Sequence, residues 1–148
     1  MPDLLRTGRG VWRGDLRTGE GRAFSESGVI ENARITFDSR FSGAGSNPEE
    51  LIAAAHAACF SMALSNILAT GGHTPIEVQT TATVTLHKGE SGFKITKVYL
   101  NTAGVVPGID EAAFKAAAEK AKTNCPVSVL LIPGLEELSL DATLVPQG

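Results

Sequence analysis

The chain has 148 residues, and its 13 basic and 16 acidic side chains give a formal net charge of −3. A chain of this length buries roughly 70% of its unfolded surface, so we expect a single domain over residues 1–148 that needs no structural metal or disulfide. The acidic balance argues against a nucleic-acid partner, because basic residues must replace the phosphate counterions.

The first residues, MPDLLRTGRG, lack the apolar stretch of a signal peptide. No later segment holds the ~18 unbroken apolar residues of a membrane helix. We therefore expect a soluble, cytoplasmic protein with no membrane partner. In a reducing compartment its two cysteines, Cys59 and Cys125, are more typical of buried thiols, metal ligands or redox groups than of a structural disulfide.

The first half of the chain predicts strands followed by a long helix. Short alternating segments between glycines indicate antiparallel strands in residues 11–37. Asn47 can cap a helix that has Pro48 at its first position and runs to about Ala69. The middle of this helix, IAAAHAACFSMAL, is almost entirely apolar or small, which predicts a helix covered on most sides.

The second half predicts a hairpin, two helices and a last strand. Residues 77–87 and 93–102 alternate in polarity on either side of a glycine-containing turn, as a β-hairpin does. Residues 110–124 have helical spacing, and residues 126–131 can form a short helix that begins at a proline. Residues 138–145 form the last strand. Strands and helices in segregated runs indicate an α+β fold.

The two cysteines are the first candidates for chemistry. Cys59 lies in the middle of the long helix, beyond the reach of the helix dipole, and burial alone would raise its pKa and make it inert. It is therefore either a core cysteine or a thiol that needs a cation from elsewhere. Cys125 lies where one helix ends and the next begins, which suits a resolving thiol and a packed cysteine about equally.

Arg40 is the best candidate cation, because it lies next to Phe41 at an expected strand end, shortly before the cysteine helix. Glu49 could orient its guanidinium through a bidentate pair. Ten helical residues, about 15 Å, separate Glu49 from Cys59, so Glu49 could serve only the Cys59 of a second copy in a two-fold dimer. The alternatives are an exposed arginine and a first-turn glutamate favoured by the helix dipole.

His56 precedes Cys59 by three residues and lies on the same helix face. This spacing leaves open a cysteine hydrolase with His56 as the base, although a buried histidine with a satisfied hydrogen bond is commoner. A zinc site lacks the paired ligand spacings it normally has, so we expect no metal. A binding module for apolar ligands, whose cysteines merely pack, is the non-enzymatic alternative.

Three separated segments closely resemble the osmotically inducible protein C (OsmC) family, whose near neighbour is the organic hydroperoxide resistance (Ohr) family. They are NPEELIAAAHAACFSMALS at residues 47–65, VPGID at residues 106–110 and NCPVS at residues 124–128. The histidine in AAHAAC favours the OsmC branch, since the Ohr branch usually has an aromatic residue there. Ser46 and Val129 depart from the family pattern, which more often has threonine and a basic residue at these places.

This resemblance implies an OsmC-like fold, in which antiparallel sheets wrap around a long buried central helix in an intertwined homodimer with shared active sites. It implies a thiol-dependent peroxidase that reduces organic hydroperoxides and hydrogen peroxide in oxidative or osmotic stress defence. Cys59 is then the peroxidatic cysteine, Cys125 the resolving one, and Arg40 and Glu49 the activating pair. No bound cofactor is implied, and an external thiol reductant, a lipoyl dithiol or a small dithiol, regenerates the enzyme.

Overall fold

The computed structural model describes residues 1–146, and the chain folds into two compact units that divide after Leu51. The first unit is a three-stranded antiparallel sheet followed by one helical turn, so the predicted antiparallel strands are confirmed. Its elements are β1 (Gly8–Arg13), β2 (Glu20–Ser25), β3 (Ala33–Ile35) and α1 (Ser39–Ser42).

Helix α2 (Pro48–Thr70) begins where the capping pattern predicts. The Glu50 backbone N–H donates to Asn47 Oδ1 at 2.8 Å, and this bond satisfies a donor that the first helical turn leaves open. Beyond the first turn, α2 buries one face and exposes the other. The fully or nearly fully buried side chains recur every four residues: His56, Phe60, Leu64 and Leu68. The exposed face carries Ala54, Ala55, Ala58 and Met62, so the single chain does not cover α2 on most sides.

The second unit contains a three-stranded sheet. Strands β4 (Glu77–Gly89) and β5 (Gly92–Val105) form the predicted hairpin. Strand β6 (Glu137–Leu144) differs from the expectation of antiparallel sheets, because it pairs with β5 in parallel. A parallel neighbour requires a crossover connection, and the helices between β5 and β6 provide it.

Two helices make that crossover. Helix α3 (Glu111–Asn124) is capped by Asp110, whose Oδ1 accepts from the Ala113 N–H at 2.8 Å. Helix α4 (Pro126–Leu131) follows after the single residue Cys125, as predicted. The α+β class is therefore confirmed.

The core of the second unit takes its side chains from α2, β5 and α3. Phe114 of α3 is fully buried against Gly104 of β5, where a Cβ atom would collide with the phenyl ring. The same cluster includes Cys125, so the core directly supports one of the two cysteines.

Helix α2 is the one helix within residues 1–146 that is long and apolar enough to cross a membrane. Length and composition alone are weak grounds for a membrane span, because the core helix of a soluble protein passes the same test. Within the second unit, His56 and Ser61 of α2 hydrogen-bond to the side chains of Ser128 and Thr80.

Candidate active site

The two cysteines meet in the second unit. Cys59, in the middle of α2, is partly exposed, whereas Cys125 is fully buried between α3 and α4. The backbone of Cys125 is held from both sides, since its N–H donates to the Ala121 carbonyl and its carbonyl accepts from the Val129 N–H, both at 3.0 Å. The two thiols are free, and Cys125 lies close enough to Cys59 to raise its pKa. The fold thus brings together two sulfurs that lie far apart in sequence.

The electrostatics of Cys59 favour the thiol over the thiolate. Burial raises the pKa of Cys59 above its ordinary value of 9.0, and the hydrogen bond with Cys125 raises it further. The backbone N–H of Val127, in the first turn of α4, hydrogen-bonds to the Cys59 sulfur and lowers the pKa. No cation within residues 1–146 is among the groups that act on this thiol. The described residues therefore favour the thiol form of Cys59.

A cleft of about 580 Å³ opens beside Cys59, between α2 and the end of α3, and we call it the Cys59 cleft. Its apolar lining comes from Met62, Ala63, Ile67 and Pro126. Its polar lining comes from Asn66, Thr70, Lys120 and Asn124. Lys120 forms no ion pair with any residue that the structure describes. The Cys59 cleft therefore suits a molecule with an apolar body, and Lys120 can attract an anionic group on it.

Arg40 and Glu49 form an ion pair in the first unit. Arg40 lies on α1, whereas the sequence placed it at a strand end, because a helix of one turn is too short to produce a periodic pattern. Its Nε is 3.2 Å from Glu49 Oε1. Glu49 is only 8% exposed, and its Oε2 is buried with no hydrogen-bond partner in the described part of the chain. The pair thus uses one carboxylate oxygen, and the second can accept a bond from an added group.

His56 contacts α4 through a hydrogen bond. Its side chain is fully buried, and its Nε2 is 2.7 Å from the Oγ of Ser128, which is also fully buried. Burial lowers the pKa of His56 from 6.5, so the imidazole is neutral at pH 7. His56 is absent from the groups that act on the Cys59 pKa within residues 1–146. His56 is therefore a buried, hydrogen-bonded histidine, which the sequence analysis named as the commoner alternative, and not the base of a Cys59–His56 pair.

Sequence reasoning missed Ser128, Lys120 and the Val127 N–H. The available signal for Ser128 is its spacing, since it follows Cys125 by three residues just as His56 precedes Cys59 by three. Lys120 resembles the other lysines of α3, and only the fold separates it from them. The Val127 N–H is a backbone group, which residue types do not reveal.

No group of three or more histidine, cysteine, aspartate or glutamate side chains that could hold a metal ion is present within residues 1–146. Two free thiols in contact, one of them facing an apolar cleft, define the class of the site. It is the arrangement of a thiol redox protein, in which one sulfur meets an external oxidant and the other closes a disulfide.

The chain belongs to the OsmC family, as the sequence resemblance predicted. The family model described as OsmC-like protein matches residues 41–136. The peroxiredoxin OsmC of Escherichia coli (strain K12) is 48% identical over 142 residues, which are 95% of this chain and 97% of that protein. The organic hydroperoxide resistance protein of Xanthomonas axonopodis pv. citri (strain 306) is 36% identical over 113 residues, 74% of this chain and 77% of that protein.

A solved structure shows the same fold. The crystal structure of the organic hydroperoxide resistance protein OhrB of Bacillus subtilis superposes with a TM-score of 0.72 at 27% identity, and the match covers 92% of this chain and 97% of that one. Membership of this family is consistent with a soluble protein.

Proposed function

We propose that this chain is a thiol-dependent peroxidase that reduces organic hydroperoxides and hydrogen peroxide in oxidative or osmotic stress defence. The observation that carries the proposal is the contact between Cys59, which faces a cleft, and Cys125, which is buried behind it. The names of the relatives, a peroxiredoxin and an organic hydroperoxide resistance protein, support the same chemistry.

The difference in exposure supports the roles that we propose for the two cysteines. Cys59 lines the cleft and is the peroxidatic cysteine: its thiolate attacks one peroxide oxygen, the O–O bond breaks, and the other oxygen takes a proton and leaves as an alcohol or as water. The sulfur is oxidised by two electrons to the sulfenic acid. Cys125 is fully buried and is the resolving cysteine: its sulfur displaces the sulfenic oxygen as water and forms the Cys59–Cys125 disulfide.

We assign the activating charge to the Arg40–Glu49 pair of a second copy of the chain. Glu49 and Cys59 are ten residues apart on α2, about 15 Å along its axis, and this separation is our reason for taking the pair from a second copy. Two observations support a homodimer with shared sites. The apolar outer face of α2 is exposed in the single chain, and the Oε2 of Glu49 is buried without a donor in the described residues.

The disulfide must be reduced by an electron donor from outside the chain. An external dithiol, either a lipoyl group or a small dithiol, delivers two electrons and two protons and restores both thiols. We place the protein in the cytoplasm, where the reducing environment supplies such donors, and we propose no bound cofactor, metal, nucleic-acid partner or membrane partner.

The alternatives lack structural support. A cysteine hydrolase needs His56 to act on Cys59, but His56 bonds to Ser128 and its pKa is lowered by burial. A binding module for apolar ligands would use the Cys59 cleft, but it gives no task to the contact between the two thiols.

The direct test measures peroxide-driven loss of free thiols in the wild type, Cys59→Ser and Cys125→Ser, with cumene hydroperoxide and hydrogen peroxide in parallel. We expect an intramolecular disulfide in the wild type, no reaction in Cys59→Ser, and a sulfenic acid that persists in Cys125→Ser. If all three proteins ignore both peroxides, the peroxidase proposal is wrong.

A mixing experiment tests the shared site. Neither Arg40→Ala nor Cys59→Ser alone should be active. When the two variants are unfolded together and refolded, a mixed dimer contains one intact site, made of Cys59 from one chain and Arg40 from the other. Recovered activity supports a site divided between two chains, whereas no recovery in verified mixed dimers contradicts it.

A further inference from the structure

Two pairs of side chains connect α2 to α4 and the residue before it. One pair is Cys59 with Cys125, and the other is His56 with Ser128, whose Nε2 and Oγ lie 2.7 Å apart. His56 and Cys59 are three residues apart on α2, and Cys125 and Ser128 are three residues apart on the other segment. Each spacing is about one helical turn. His56 precedes Cys59 whereas Ser128 follows Cys125, so the two segments run in opposite directions at this contact. The two pairs therefore lie about one helical turn apart along the contact between α2 and the segment that contains Cys125 and α4.

Helix α4 has few side chains that hold it on the core, where Val127 packs partly buried beside this contact. It has six residues, fewer than an isolated helix needs for stability in water. Among its six described side chains, Ser128 alone is fully buried, while Val129 and Leu130 are 57% and 75% exposed. A hydrogen bond has narrow limits of distance and angle, whereas an apolar contact tolerates sliding. The bond from His56 to Ser128 therefore fixes both the rotation and the register of α4 on α2.

The hydrogen-bond pattern also assigns the proton on the imidazole. His56 Nδ1 is buried and has no partner within the described residues. A neutral ring with its proton on Nε2 donates to Ser128 Oγ and leaves only an unpaired acceptor at Nδ1. The other tautomer would bury an unpaired N–H, which proteins avoid more strictly. His56 is thus a fixed donor rather than a base.

We propose that His56 and Ser128 are a positioning pair that holds Cys125 against Cys59 and sets the rate at which the Cys59 sulfenic acid is resolved. This inference rests on the proposed function and deepens it. In the resolving step the Cys125 sulfur attacks the Cys59 sulfur, the S–S bond forms, the S–O bond breaks, and the oxygen leaves as water with the proton of the Cys125 thiol. The positioning pair does not react itself, so the attack of Cys59 on peroxide depends on it only through the Val127 N–H of α4, which affects the thiolate fraction.

The test compares the two chemical steps in four variants. Ser128→Ala and His56→Leu remove the bond, whereas His56→Gln keeps an N–H donor. Ser61→Ala is the matched control, because its hydroxyl donates to Thr80 Oγ1 at 2.8 Å and so ties the same helix to the sheet rather than to α4. Rapid-quench mass spectrometry separates the thiol, sulfenic acid and disulfide forms over time, and the melting temperature reports the stability of each variant.

Measured at a pH above the Cys59 pKa, where a displaced Val127 N–H no longer changes the thiolate fraction, Ser128→Ala and His56→Leu should form sulfenic acid at the wild-type rate and close the disulfide about ten- to a hundredfold more slowly. His56→Gln should restore part of the lost rate. A fifth protein, the Ser128→Ala/His56→Leu double variant, should be no slower than the worse of these two single variants, because both changes remove the same bond. Ser61→Ala should lose stability without slowing closure. Wild-type closure in Ser128→Ala, or an equal loss in both chemical steps, overturns the inference.

A second readout does not depend on peroxide. In each variant Cys59 is loaded as a mixed disulfide with thionitrobenzoate, and attack by Cys125 releases the coloured thiol as the intramolecular disulfide forms. The same ranking of rates supports the positioning pair even if peroxide proves not to be the oxidant. If release is equally fast in wild type, Ser128→Ala and His56→Gln, the inference fails while the peroxidase proposal stands.

Discussion

Replacing Val127 by proline tests how the start of α4 controls the reactivity of Cys59. The Val127 N–H stabilises the Cys59 thiolate and lowers its pKa, whereas burial of the sulfur raises that pKa. Val127 is the second residue of α4, where proline removes an N–H that the helix itself does not use. A hydrogen bond to a charged group contributes about 1.5–3 kcal/mol, and we take the lower end because Cys59 is partly exposed. The Cys59 pKa should therefore rise by about one unit.

The sign of the effect on rate follows from the thiolate fraction. Below both pKa values, an increase of one unit leaves about tenfold less thiolate, so the rate constant for peroxide should fall about tenfold at pH 7. The difference should vanish at a pH above both pKa values. Thiolate absorbance and peroxide kinetics against pH measure the two quantities, both in a Cys125→Ser background that leaves one titrating thiol.

Val127→Ala is the matched control, since it trims the same side chain but keeps the N–H. It should leave the Cys59 pKa unchanged. An equal pKa in Val127→Pro and Val127→Ala would refute the assignment of the N–H as a thiolate donor. A rate loss that persists at high pH would point instead to a displaced α4.

Three further changes give distinct expectations. Lys120→Glu should lower kcat/KM about tenfold for a hydroperoxide that carries a carboxylate, because the cation of the Cys59 cleft becomes an anion, and should leave neutral cumene hydroperoxide unaffected. Because burial lowers the pKa of His56 in the folded chain, the unfolded chain takes up a proton at a higher pH, and the free energy of unfolding should fall as the pH drops below 6.5. Denaturant midpoints measured against pH should fall less steeply in His56→Gln than in the wild type. Phe114→Ala should cost about 3–5 kcal/mol in denaturant unfolding, because the fully buried ring leaves a cavity beside Gly104; a cost below 1 kcal/mol would contradict that packing.

The helices and the hairpin were predictable because their signals are local. Asn47 and Asp110 are capping residues whose bonds reach only three residues ahead, and both bonds are present. The direction of β6 was not predictable in this way. Whether a strand pairs in parallel depends on where the preceding crossover returns the chain, and no residue within β6 encodes that.

The sequence likewise identified the residue types of the site but not the contacts between them. Cys59 and Cys125 stood out as the chain's only two cysteines, but their contact depends on the packing of α2 against the α3–α4 junction. The His56–Ser128 bond spans 72 residues of sequence and is likewise a product of that packing. Sequence could place His56 on the Cys59 face of α2, but it could not decide whether the imidazole meets the thiol or another partner.

The burial that brings Cys59 and Cys125 together also makes Cys59 a poorer nucleophile. Each step that packs α2 against α4 removes water from the sulfur and raises its pKa, so a tighter contact favours the disulfide and disfavours the first attack. A cation fixed permanently inside the core of one chain would need its own desolvated counter-charge there. In the proposed dimer, Arg40 of the second copy brings its counter-charge with it, because its guanidinium is already paired with the largely buried Glu49 in the first unit before the apolar faces of α2 meet. In the proposed dimer, the charge therefore reaches Cys59 only when the assembly is complete, and folding and activation of the thiol become separate steps.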